Sequence, residues 1–347
     1  MTPKNNLRFG VIGAGRIGKI HAENLATHIP GVELAAIADV DLKAAEDLAA
    51  RLHIPKAVDN YQAILSDPTI AAVAICSSTD THARIVIEAA QAGKHIFCEK
   101  PIALDLETID AALDAVDKAG VKLQIGFNRR FDPNFRKVHT MIAEGRIGTP
   151  QIVRITSRDP APPPISYVNV SGGMFLDMTI HDFDMARYLS GSEVEEVYTA
   201  AGVMVDPNIG EAGDVDTAVI TLRFANGAIG TIDNSRKAIY GYDQRVEVFG
   251  SEGMLQAHNN TPDNHVYSNA DGVHSPKPLY FFLERYAVSF IAELRAFVQS
   301  IQENSSPLVT GIDGRIPVVM GMAAKKSYLE NRPVKLSEIT APVLQPD

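Results

Sequence analysis

The first forty residues contain the pattern that most constrains how this chain can fold. An apolar run from Leu7 to Ile12 is followed by a glycine-rich turn that matches G-x-G-x-x-G, and the turn leads into residues with helical spacing. In that motif the glycines allow a tight turn, a close approach to a pyrophosphate, and packing of the helix on the strand. We therefore expect a dinucleotide at the helix N-terminus. The predicted contacts in this turn are Gly13, Gly15, Arg16, Ile17 and Gly18.

The second strand of this unit, Val32 to Ala38, is followed by an acidic residue, Asp39. An acid at this distance from the glycine turn accepts hydrogen bonds from both ribose hydroxyls of the adenosine half. It would repel a 2′-phosphate, and neither Val40 nor Asp41 supplies a cation to offset that repulsion. We therefore expect NAD rather than NADP. The alternative is an ordinary strand–turn–helix with incidental glycines. It is disfavoured because the glycine turn, the helix, the second strand and the acid at its end occur together.

Composition limits the class of protein. The 347 residues suit two domains, and the formal net charge of −10 disfavours nucleic acid or an anionic membrane as a partner. We find neither a signal peptide nor a stretch long enough for a membrane span. Cys76 and Cys98 lack the C-x-x-C spacing of a metal or redox site, so we interpret them as buried small residues. These observations predict a cytoplasmic protein without a metal.

Apolar runs and helical patterns alternate as far as residue 127, which predicts a doubly wound parallel sheet of the Rossmann type. Ligands of such sheets bind at the carboxyl ends of the strands. The polar loop after the strand Ala71 to Ile75 is therefore a candidate contact of the cofactor. Its alternative role is to cap the following helix, and one loop can do both. The candidate residues in this loop are Ser77, Ser78, Thr79 and His82.

The next strand, Lys94 to Cys98, delivers Glu99 and Lys100 at its carboxyl end, followed by Pro101. A lone lysine is ordinarily a solvated surface charge. Here its position is the crevice where a nicotinamide should lie, so we expect Glu99 and Lys100 to contact the cofactor and Lys100 also to contact the substrate.

The pattern changes from Asn128 on, where strands follow one another without intervening helices. Val215 to Phe224, the turn at Asn226-Gly227, and Ala228 to Asn234 predict a hairpin. We expect an NAD-binding Rossmann domain over residues 1–127. Over residues 128–347 we expect an α+β domain for substrate binding and oligomerisation, with a large open-faced, mostly antiparallel sheet. Few predicted helices are available to cover that sheet, so a bare face predicts association with further subunits.

A predicted helix from Met174 to Leu189 follows two glycines and carries Asp177, His181 and Asp184. The i, i+4 spacing of Asp177 and His181 places them on one helix face. Because histidine titrates near neutral pH, it is suited to taking a proton from an alcohol, with the acid as a hydrogen-bonding neighbour. Two other interpretations are open. A metal pair would require a third ligand, which is not evident, and a structural Asp–His pair is the commoner origin of this spacing.

These motifs occur in the order and spacing of the Gfo/Idh/MocA family of sugar and polyol dehydrogenases, which the chain resembles over nearly its full length. Two later segments resemble the bacterial members of the family that act on inositol. Besides the glycine turn, the resemblance is carried by Glu99-Lys100-Pro101, Gly126 to Asp132, Ser157 to Pro160, Gly172 to Asp184, and Tyr240 to Asp243.

The resemblance implies a Rossmann domain joined to an open-faced α/β domain, a homotetramer, and catalytic positions at Lys100, Asp177 and His181. It implies oxidation of myo-inositol to 2-keto-myo-inositol with NAD as the acceptor. Removing hydride from an alcohol carbon requires loss of the hydroxyl proton. We expect His181 to act as the base, Asp177 as its hydrogen-bonding neighbour, and Lys100 as the cation that stabilises the developing alkoxide.

The remaining hydroxyls of a ring polyol need hydrogen-bonding partners as well. The further substrate candidates, each with an alternative role as a loop or interface residue, are Asn128, Arg129, Asp159 and Tyr242. Other substrates are open, namely scyllo-inositol, D-chiro-inositol or an aldose, and so is a non-catalytic sensor of NAD and sugar. A sensor would have no need of the complete set of catalytic positions. The segment from Pro160 to Pro164 suits either a pocket rim or a stiff loop.

Overall fold

The computed structural model of this protein describes residues 6–339, which form two compact units. The first unit contains the described residues up to Phe131 together with Val288–Ile316, and the second contains Asp132–Ala287 together with the described residues from Pro317 on. This division differs from the single boundary expected after residue 127. The segment Val288–Ile316 belongs to the first unit because its residues Leu294 and Phe297 complete the apolar core of that unit. No helix among the described residues is long and apolar enough to cross a membrane.

The helices and strands are listed here in chain order. The α-helices described are α1 (Arg16–Thr27), α2 (Leu42–Leu52), α3 (Gln62–Leu65), α4 (Thr79–Gln91), α5 (Leu106–Ala119), α6 (Pro133–Ala143), α7 (Ile165–Ser171), α8 (Ile180–Ser190), α9 (Pro207–Glu211), α10 (Phe282–Arg285), α11 (Ala287–Gln302) and α12 (Gly311–Glu330). The strands described are β1 (Leu7–Ile12), β2 (Val32–Ala38), β3 (Ala57–Val58), β4 (Ala72–Ile75), β5 (His95–Cys98), β6 (Leu123–Ile125), β7 (Pro150–Arg158), β8 (Val194–Gly202), β9 (Thr217–Phe224), β10 (Ile229–Ser235), β11 (Asp243–Gly250), β12 (Gly253–Ala257), β13 (Tyr267–Asn269), β14 (Gly272–His274) and β15 (Val334–Lys335). Shorter turns of other types are a 3₁₀ helix at Asn128–Phe131, a π-helix at Met174–Met178 and a 3₁₀ helix at Leu336–Glu338.

The first unit is built on a six-stranded sheet with the order β3-β2-β1-β4-β5-β6, and every neighbouring pair in it is parallel. Strand β4 is buried along its whole length, as expected for a parallel strand covered on both faces. The strand order reverses between β1 and β4, which is the point where ligands of such sheets bind. The predicted Rossmann sheet is confirmed.

The second unit contains a seven-stranded sheet with the order β12-β11-β7-β10-β9-β8-β15. The pair β7–β10 is parallel and the other five pairs are antiparallel, which confirms the predicted mostly antiparallel sheet. Buried and exposed residues alternate along β9, so one face of the sheet packs on the core and the other is open. The outward face carries exposed apolar side chains, namely Tyr198, Val219, Ile229, Phe249 and Met254.

Helix α6 was not predicted from the sequence, although its first residues carry a recognisable start signal. The Asp132 carboxylate accepts hydrogen bonds from the backbone N–H groups of Asn134 and Phe135, at 3.0 and 3.1 Å, and Pro133 occupies the first helical turn. An acid at the N-cap and a proline just inside the helix are typical of a helix start. The same kind of cap begins α5, where Asp105 accepts a hydrogen bond from the Thr108 N–H at 2.8 Å.

Candidate active site

The glycine turn between β1 and α1 has the geometry expected of a pyrophosphate-binding turn. Gly13 has a φ of 107°, and a Cβ there would lie 2.6 Å from the carbonyl carbon of Cys76. A Cβ at Gly18 would lie 2.0 Å from the carbonyl oxygen of Gly13. These two positions therefore exclude any side chain. At the exposed Gly15, in contrast, an added Cβ would meet no described atom within 4 Å, which leaves the surface open to a ligand.

Helix α1 begins directly after Gly15, and this N-cap residue has no side chain with which to cap the first turn. Its first backbone N–H groups and the positive end of its dipole suit an anion such as pyrophosphate. Arg16 is exposed and Ile17 is half-buried at this helix start. The structure thus brings all five predicted residues of the turn together at the switch point of the sheet.

Asp39 lies at the carboxyl end of β2, and its carboxylate is fixed by two backbone N–H groups. The Ala14 N–H donates to Oδ2 at 2.6 Å, and the Asp41 N–H donates to Oδ1 at 2.9 Å. The first of these hydrogen bonds ties the acid to the glycine turn. Asp39 therefore stands beside the expected pyrophosphate position, where the predicted ribose contact requires it.

The loop after β4 contains three of the predicted cofactor contacts, Ser77, Ser78 and Thr79. Ser77 and Thr79 are half-buried, Ser78 is exposed, and Ser78 is the N-cap residue of α4. The Ser78 side chain makes no capping hydrogen bond to the described part of that helix. The Ser77 hydroxyl lies 2.6 Å from that of Thr81, which fixes its orientation.

His82 has a supporting position. It is 2% exposed, and its Nδ1 and Nε2 atoms lie 2.8 Å from the carbonyl oxygen of Pro101 and 3.0 Å from that of Ser77. The imidazole therefore joins the loop after β4 to the turn after β5. This geometry favours positioning of both loops over the direct cofactor contact predicted from the sequence.

The turn after β5 presents Glu99 and Lys100, both half-buried. The Glu99 Oε1 atom lies 2.6 Å from Nε2 of His21, and a Cβ at Gly126 would lie 3.1 Å from the Glu99 carboxyl carbon. The Glu99 side chain is thus enclosed by its own unit, and Lys100 is the next residue along the chain. The predicted substrate residues Asn128 and Arg129 lie in the 3₁₀ helix that follows β6, and both are buried.

In the second unit, Asp177 and His181 lie on two different kinds of helix. The predicted uninterrupted helix from Met174 is corrected: residues Met174–Met178 form a π-helix, and α8 begins only at Ile180. The Thr179 N–H donates to the carbonyl oxygen of Met174 at 2.9 Å, a five-residue spacing. The one-face argument for an α-helix therefore does not apply to this pair. Single π-helical turns occur frequently at functional sites.

Hydrogen bonds of four side chains anchor this segment at both of its ends. Before it, Gly173 has a φ of 76°, and Asp214 accepts a hydrogen bond from the Met174 N–H at 2.9 Å. After it, the Thr179 hydroxyl donates to Oδ1 of Asn234 at 2.6 Å. Nδ2 of Asn234 in turn donates to Asp182 at 2.9 Å. Because Asn234 lies on β10, the sheet fixes the backbone that carries Asp177 and His181.

The Asp177 carboxylate is held by two side chains from distant positions in the sequence. The Tyr167 hydroxyl donates to Oδ1 at 2.9 Å, and Nη1 and Nη2 of Arg236 each lie 3.3 Å from Oδ2. Nη1 of Arg236 also lies 3.3 Å from Oδ2 of Asp159. The structure therefore brings together two of the predicted substrate residues, Asp159 and Asp177, through one guanidinium.

Arg236 is 3% exposed, so its charge depends on these partners. Burial lowers the pKa of its guanidinium, but the carboxylates of Asp177, Asp159 and Asp214 outweigh burial and leave that pKa raised. The attraction between this cation and the carboxylates of Asp177 and Asp159 offsets the cost of burying the guanidinium charge. The arrangement can present an oriented anionic hydrogen-bond acceptor to a hydroxyl or an imidazole.

Tyr242, another predicted substrate residue, is buried in an aromatic cluster. Its ring lies edge-on to Tyr286, with centroids 6.1 Å apart, and contacts Phe281 with centroids 6.5 Å apart. These contacts indicate a packing role for the ring. Lys100, Asn128 and Arg129 belong to the first unit, whereas the candidates from Asp159 to Tyr242 belong to the second.

Sequence reasoning missed four residues of the second unit that support the candidate site. A sequence signal existed for Tyr167 alone, because the proline segment noted above ends at Pro164, the N-cap of α7, and Tyr167 lies in the first turn of that helix. No local pattern marks the others, since their role depends on partners far away in the sequence. The four residues are Tyr167, Asp214, Asn234 and Arg236.

Comparison with known proteins agrees with this geometry. Residues 7–127 match the model of the oxidoreductase family with an NAD-binding Rossmann fold, and residues 135–256 match the GFO/IDH/MocA C-terminal domain. The first of these matches confirms the predicted cofactor, NAD. The open glycine turn, the uncapped start of α1 and the fixed Asp39 carboxylate fit that cofactor.

Individual relatives cover almost the whole chain. The myo-inositol 2-dehydrogenase of Thermotoga maritima is 52% identical over 96% of this chain and 99% of its own length. The inositol 2-dehydrogenase of Rhizobium meliloti is 44% identical over 95% of this chain and 99% of its own. A crystal structure of scyllo-inositol dehydrogenase from Lactobacillus casei with NAD(H) and scyllo-inositol has a TM-score of 0.90, is 31% identical, and covers 96% of this chain and 99% of that one. With both domain models matched in order along it, the chain belongs to the Gfo/Idh/MocA family of NAD-dependent oxidoreductases.

Proposed function

We propose that this protein oxidises myo-inositol to 2-keto-myo-inositol, with NAD as the acceptor. The observation that carries the proposal is the Asp177 carboxylate, fixed by Tyr167 and Arg236 on a π-helical turn just before His181, in a chain whose N-terminal domain binds NAD. Such a group suits a neutral polyol better than an acidic substrate, which the negative charge would repel. The relatives named for myo-inositol and inositol support this choice of substrate.

In the proposed mechanism His181 accepts the hydroxyl proton, while Asp177 and Lys100 provide hydrogen bonding and charge stabilisation. Bound NAD supplies the hydride acceptor. His181 takes the proton of the reacting hydroxyl, because an imidazole can accept a proton near neutral pH. Asp177, whose carboxylate is already oriented by Arg236, accepts a hydrogen bond from the imidazole or from the substrate. Lys100 stabilises the oxygen as negative charge develops on it.

In the proposal, the other substrate candidates contact the remaining hydroxyls of the ring. Asp159 is the best supported of them, because it shares the Arg236 guanidinium with Asp177. A carboxylate can accept hydrogen bonds from two adjacent hydroxyls, and an asparagine or arginine can donate to others. In the proposal Asn128 and Arg129 fill this second role, and Tyr242 shapes the wall of the pocket.

A panel of polyols tests the proposal. The protein is mixed with NAD and with myo-inositol, scyllo-inositol, D-chiro-inositol or an aldose, and NADH formation is followed by absorbance. We expect the highest kcat/KM with myo-inositol. A higher value with scyllo-inositol would assign the substrate of the Lactobacillus casei relative to this chain as well. No NADH with any member of the panel would favour the non-catalytic sensor.

The proposal extends to assembly and location. The outward face of the seven-stranded sheet exposes apolar residues, including Val219 and Ile229, each 52% exposed, which favours burial against other copies of the chain. We propose a homotetramer, and light scattering on the purified protein would measure its mass. A cytoplasmic location is part of the same proposal, because both cysteines, Cys76 and Cys98, are free and buried, which suits a reducing compartment.

A further inference from the structure

A cluster of three titratable side chains lies inside the first unit, next to the turn that carries Lys100. It contains His21 from α1, Glu99 after β5, and Glu293 from α11, and one ligand-type atom of each lies within 4.8 Å of the others. His21 Nε2 lies 2.6 Å from Glu99 Oε1 and 4.0 Å from Glu293 Oε1. The side chains of His21 and Glu293 are fully buried, and that of Glu99 is 12% exposed.

Glu293 is the unusual member of the cluster. Neither of its carboxyl oxygens has a hydrogen-bond partner among residues 6–339. A buried carboxylate without donors is costly, so the protonated form is favoured. Burial, and then the negative charge of Glu99, raise the pKa of the Glu293 carboxyl well above its ordinary value. Burial and the missing donors thus favour the neutral form of Glu293 beside the hydrogen-bonded His21–Glu99 pair.

We propose that His21, Glu99 and Glu293 form one buried acid–base cluster that positions Lys100. Glu99 immediately precedes Lys100, and its carboxylate is locked between the His21 imidazole and the Cβ-free face of Gly126. Fixing the Glu99 side chain fixes the direction in which the backbone leaves β5, and so the position of the next residue. The proposal rests on the role of Lys100 in the proposed function. The three members are positioning residues, because they act through Lys100.

The same three atoms also have a spacing that a metal ion could span. The distance of 2.6 Å between His21 and Glu99 is that of a strong hydrogen bond, and such a bond requires a proton rather than a cation between the two atoms. Two thiols lie close to the cluster, Cys76 beside Glu293 and Cys98 beside Glu99. Burial, and then the charge of Glu99, raise the pKa of both thiols. Raised thiol pKa values favour neutral thiols over metal-binding thiolates. These features favour a cluster that retains protons.

The cluster predicts a specific dependence of stability on pH. A carboxyl group whose pKa is raised by folding keeps its proton in the native state while the unfolded chain releases it. Stability therefore falls as pH rises from the ordinary pKa of a glutamate towards the raised value. The titratable groups that interact with Glu293 from neighbouring elements are His21 on α1, Cys76 after β4 and Glu99 after β5. Glu293→Gln removes the carboxyl group of Glu293 and leaves these other titratable groups in place, so it isolates the contribution of Glu293.

The first experiment measures Tm against pH and needs no substrate. We compare the unaltered protein with Glu293→Gln and with a matched control, Glu303→Gln, which changes an exposed glutamate just beyond the end of α11. The Tm advantage of Glu293→Gln should grow as pH rises, whereas Glu303→Gln should follow the unaltered protein. Parallel curves for all three proteins would overturn the proton-retaining cluster. So would a stoichiometric divalent metal found by elemental analysis of the purified protein.

The second experiment separates positioning from folding. Glu99→Gln keeps the shape of the side chain but weakens its bond to His21, so kcat with the active polyol should fall on the order of tenfold to a hundredfold. Tm should change little, and Glu99→Asp should recover part of the lost kcat. An unchanged kcat in folded Glu99→Gln would overturn the positioning role. An unaltered protein inactive with every polyol would instead reject the proposed function, and the Tm experiment would still test the cluster.

Discussion

The two candidate regions of this protein hold their carboxylates by different means. In the first unit, Asp39 accepts hydrogen bonds from the backbone N–H groups of Ala14 and Asp41. In the second unit, Asp177 is held by the side chains of Tyr167 and Arg236, which lie 10 and 59 positions away in the sequence. One site is built mainly from backbone and glycines, and the other from a network of side chains.

This difference determines how each region should respond to mutation. A backbone site depends on local conformation, so a single methyl group can disturb it while the charge of each side chain matters less. A side-chain network depends on charge balance in a buried setting, where removing one partner leaves another uncompensated. We therefore expect substitutions around Asp177 to reduce turnover and substitutions around the glycine turn and Asp39 to alter NAD binding.

The largest effect should come from His181→Ala. Loss of the proposed base should lower kcat by about 10²- to 10⁴-fold, while NAD affinity stays close to that of the unaltered protein, because the predicted NAD contacts lie in the first unit. Steady-state kinetics and calorimetric titration with NAD measure the two quantities. The matched control is His258→Ala, which removes an exposed histidine of the same unit. If His181→Ala retains full turnover, another group removes the proton.

A smaller loss should follow from Arg236→Met. The Asp177 and Asp159 carboxylates would lose a shared buried cation, so we expect kcat to fall roughly tenfold to a hundredfold and the free energy of unfolding to fall by about 3–5 kcal/mol. Arg236→Lys keeps the positive charge but lacks the planar guanidinium, so its kcat and stability should lie between those of the unaltered protein and Arg236→Met. Arg223→Met, at a residue with a 69% exposed side chain, is the control. Urea unfolding and kinetics measure both effects.

A kcat unaffected by Arg236→Met in a folded protein would show that Asp177 does not need the guanidinium that follows β10. The comparison between the two regions would then lose its main support, since the second site would not depend on its buried charge balance.

The same contrast explains what could be predicted from the sequence. The first unit was predictable because its motif is short: three glycines, a strand and an acid within about thirty residues determine turn, helix and ribose contact together. Strand β2 was predicted with its observed bounds. Return of the segment Val288–Ile316 to this unit was not predictable, because an apolar helix face does not specify which core it joins.

In the second unit the hairpin β9–β10 was predictable from its alternation and its Asn-Gly turn. The interruption of the helix after Gly173 was not, because a π-helical turn has no period of its own in the sequence. Nor could Arg236 be connected with Asp177, since a pairing 59 positions apart appears only once the sheet has formed. Asp177 and His181 were singled out by a spacing rule for α-helices that the structure does not follow.

Asp39→Ala tests the first region through its acidic side chain. It removes the acceptor for the ribose hydroxyls and the partner of the Ala14 N–H, so we expect NAD affinity to fall about tenfold, in line with the loss of a hydrogen bond to a charged group. NADP affinity should change less, because its 2′-phosphate no longer meets a negative charge. Titration with both dinucleotides gives the ratio. Asp59→Ala, at an exposed acid of the same unit, is the control, and an equal loss for both dinucleotides would remove the ribose role of Asp39.

The smallest change, one methyl group at each of two glycines, separates packing from binding within the backbone site. In Gly18→Ala the new Cβ would lie 2.0 Å from the Gly13 carbonyl oxygen, so we expect a loss of about 1–3 kcal/mol in the free energy of unfolding. In Gly15→Ala the Cβ meets no described atom within 4 Å, and the φ of −70° suits alanine, so stability should be unchanged. We expect NAD affinity to fall several-fold, because the methyl group occupies the space through which the pyrophosphate approaches the backbone. Thermal unfolding and NAD titration of both variants provide the comparison. Undiminished NAD binding by Gly15→Ala would mean that the open surface at the start of α1 is not where the dinucleotide lies, and the backbone site would have to be sought elsewhere along the carboxyl ends of the strands.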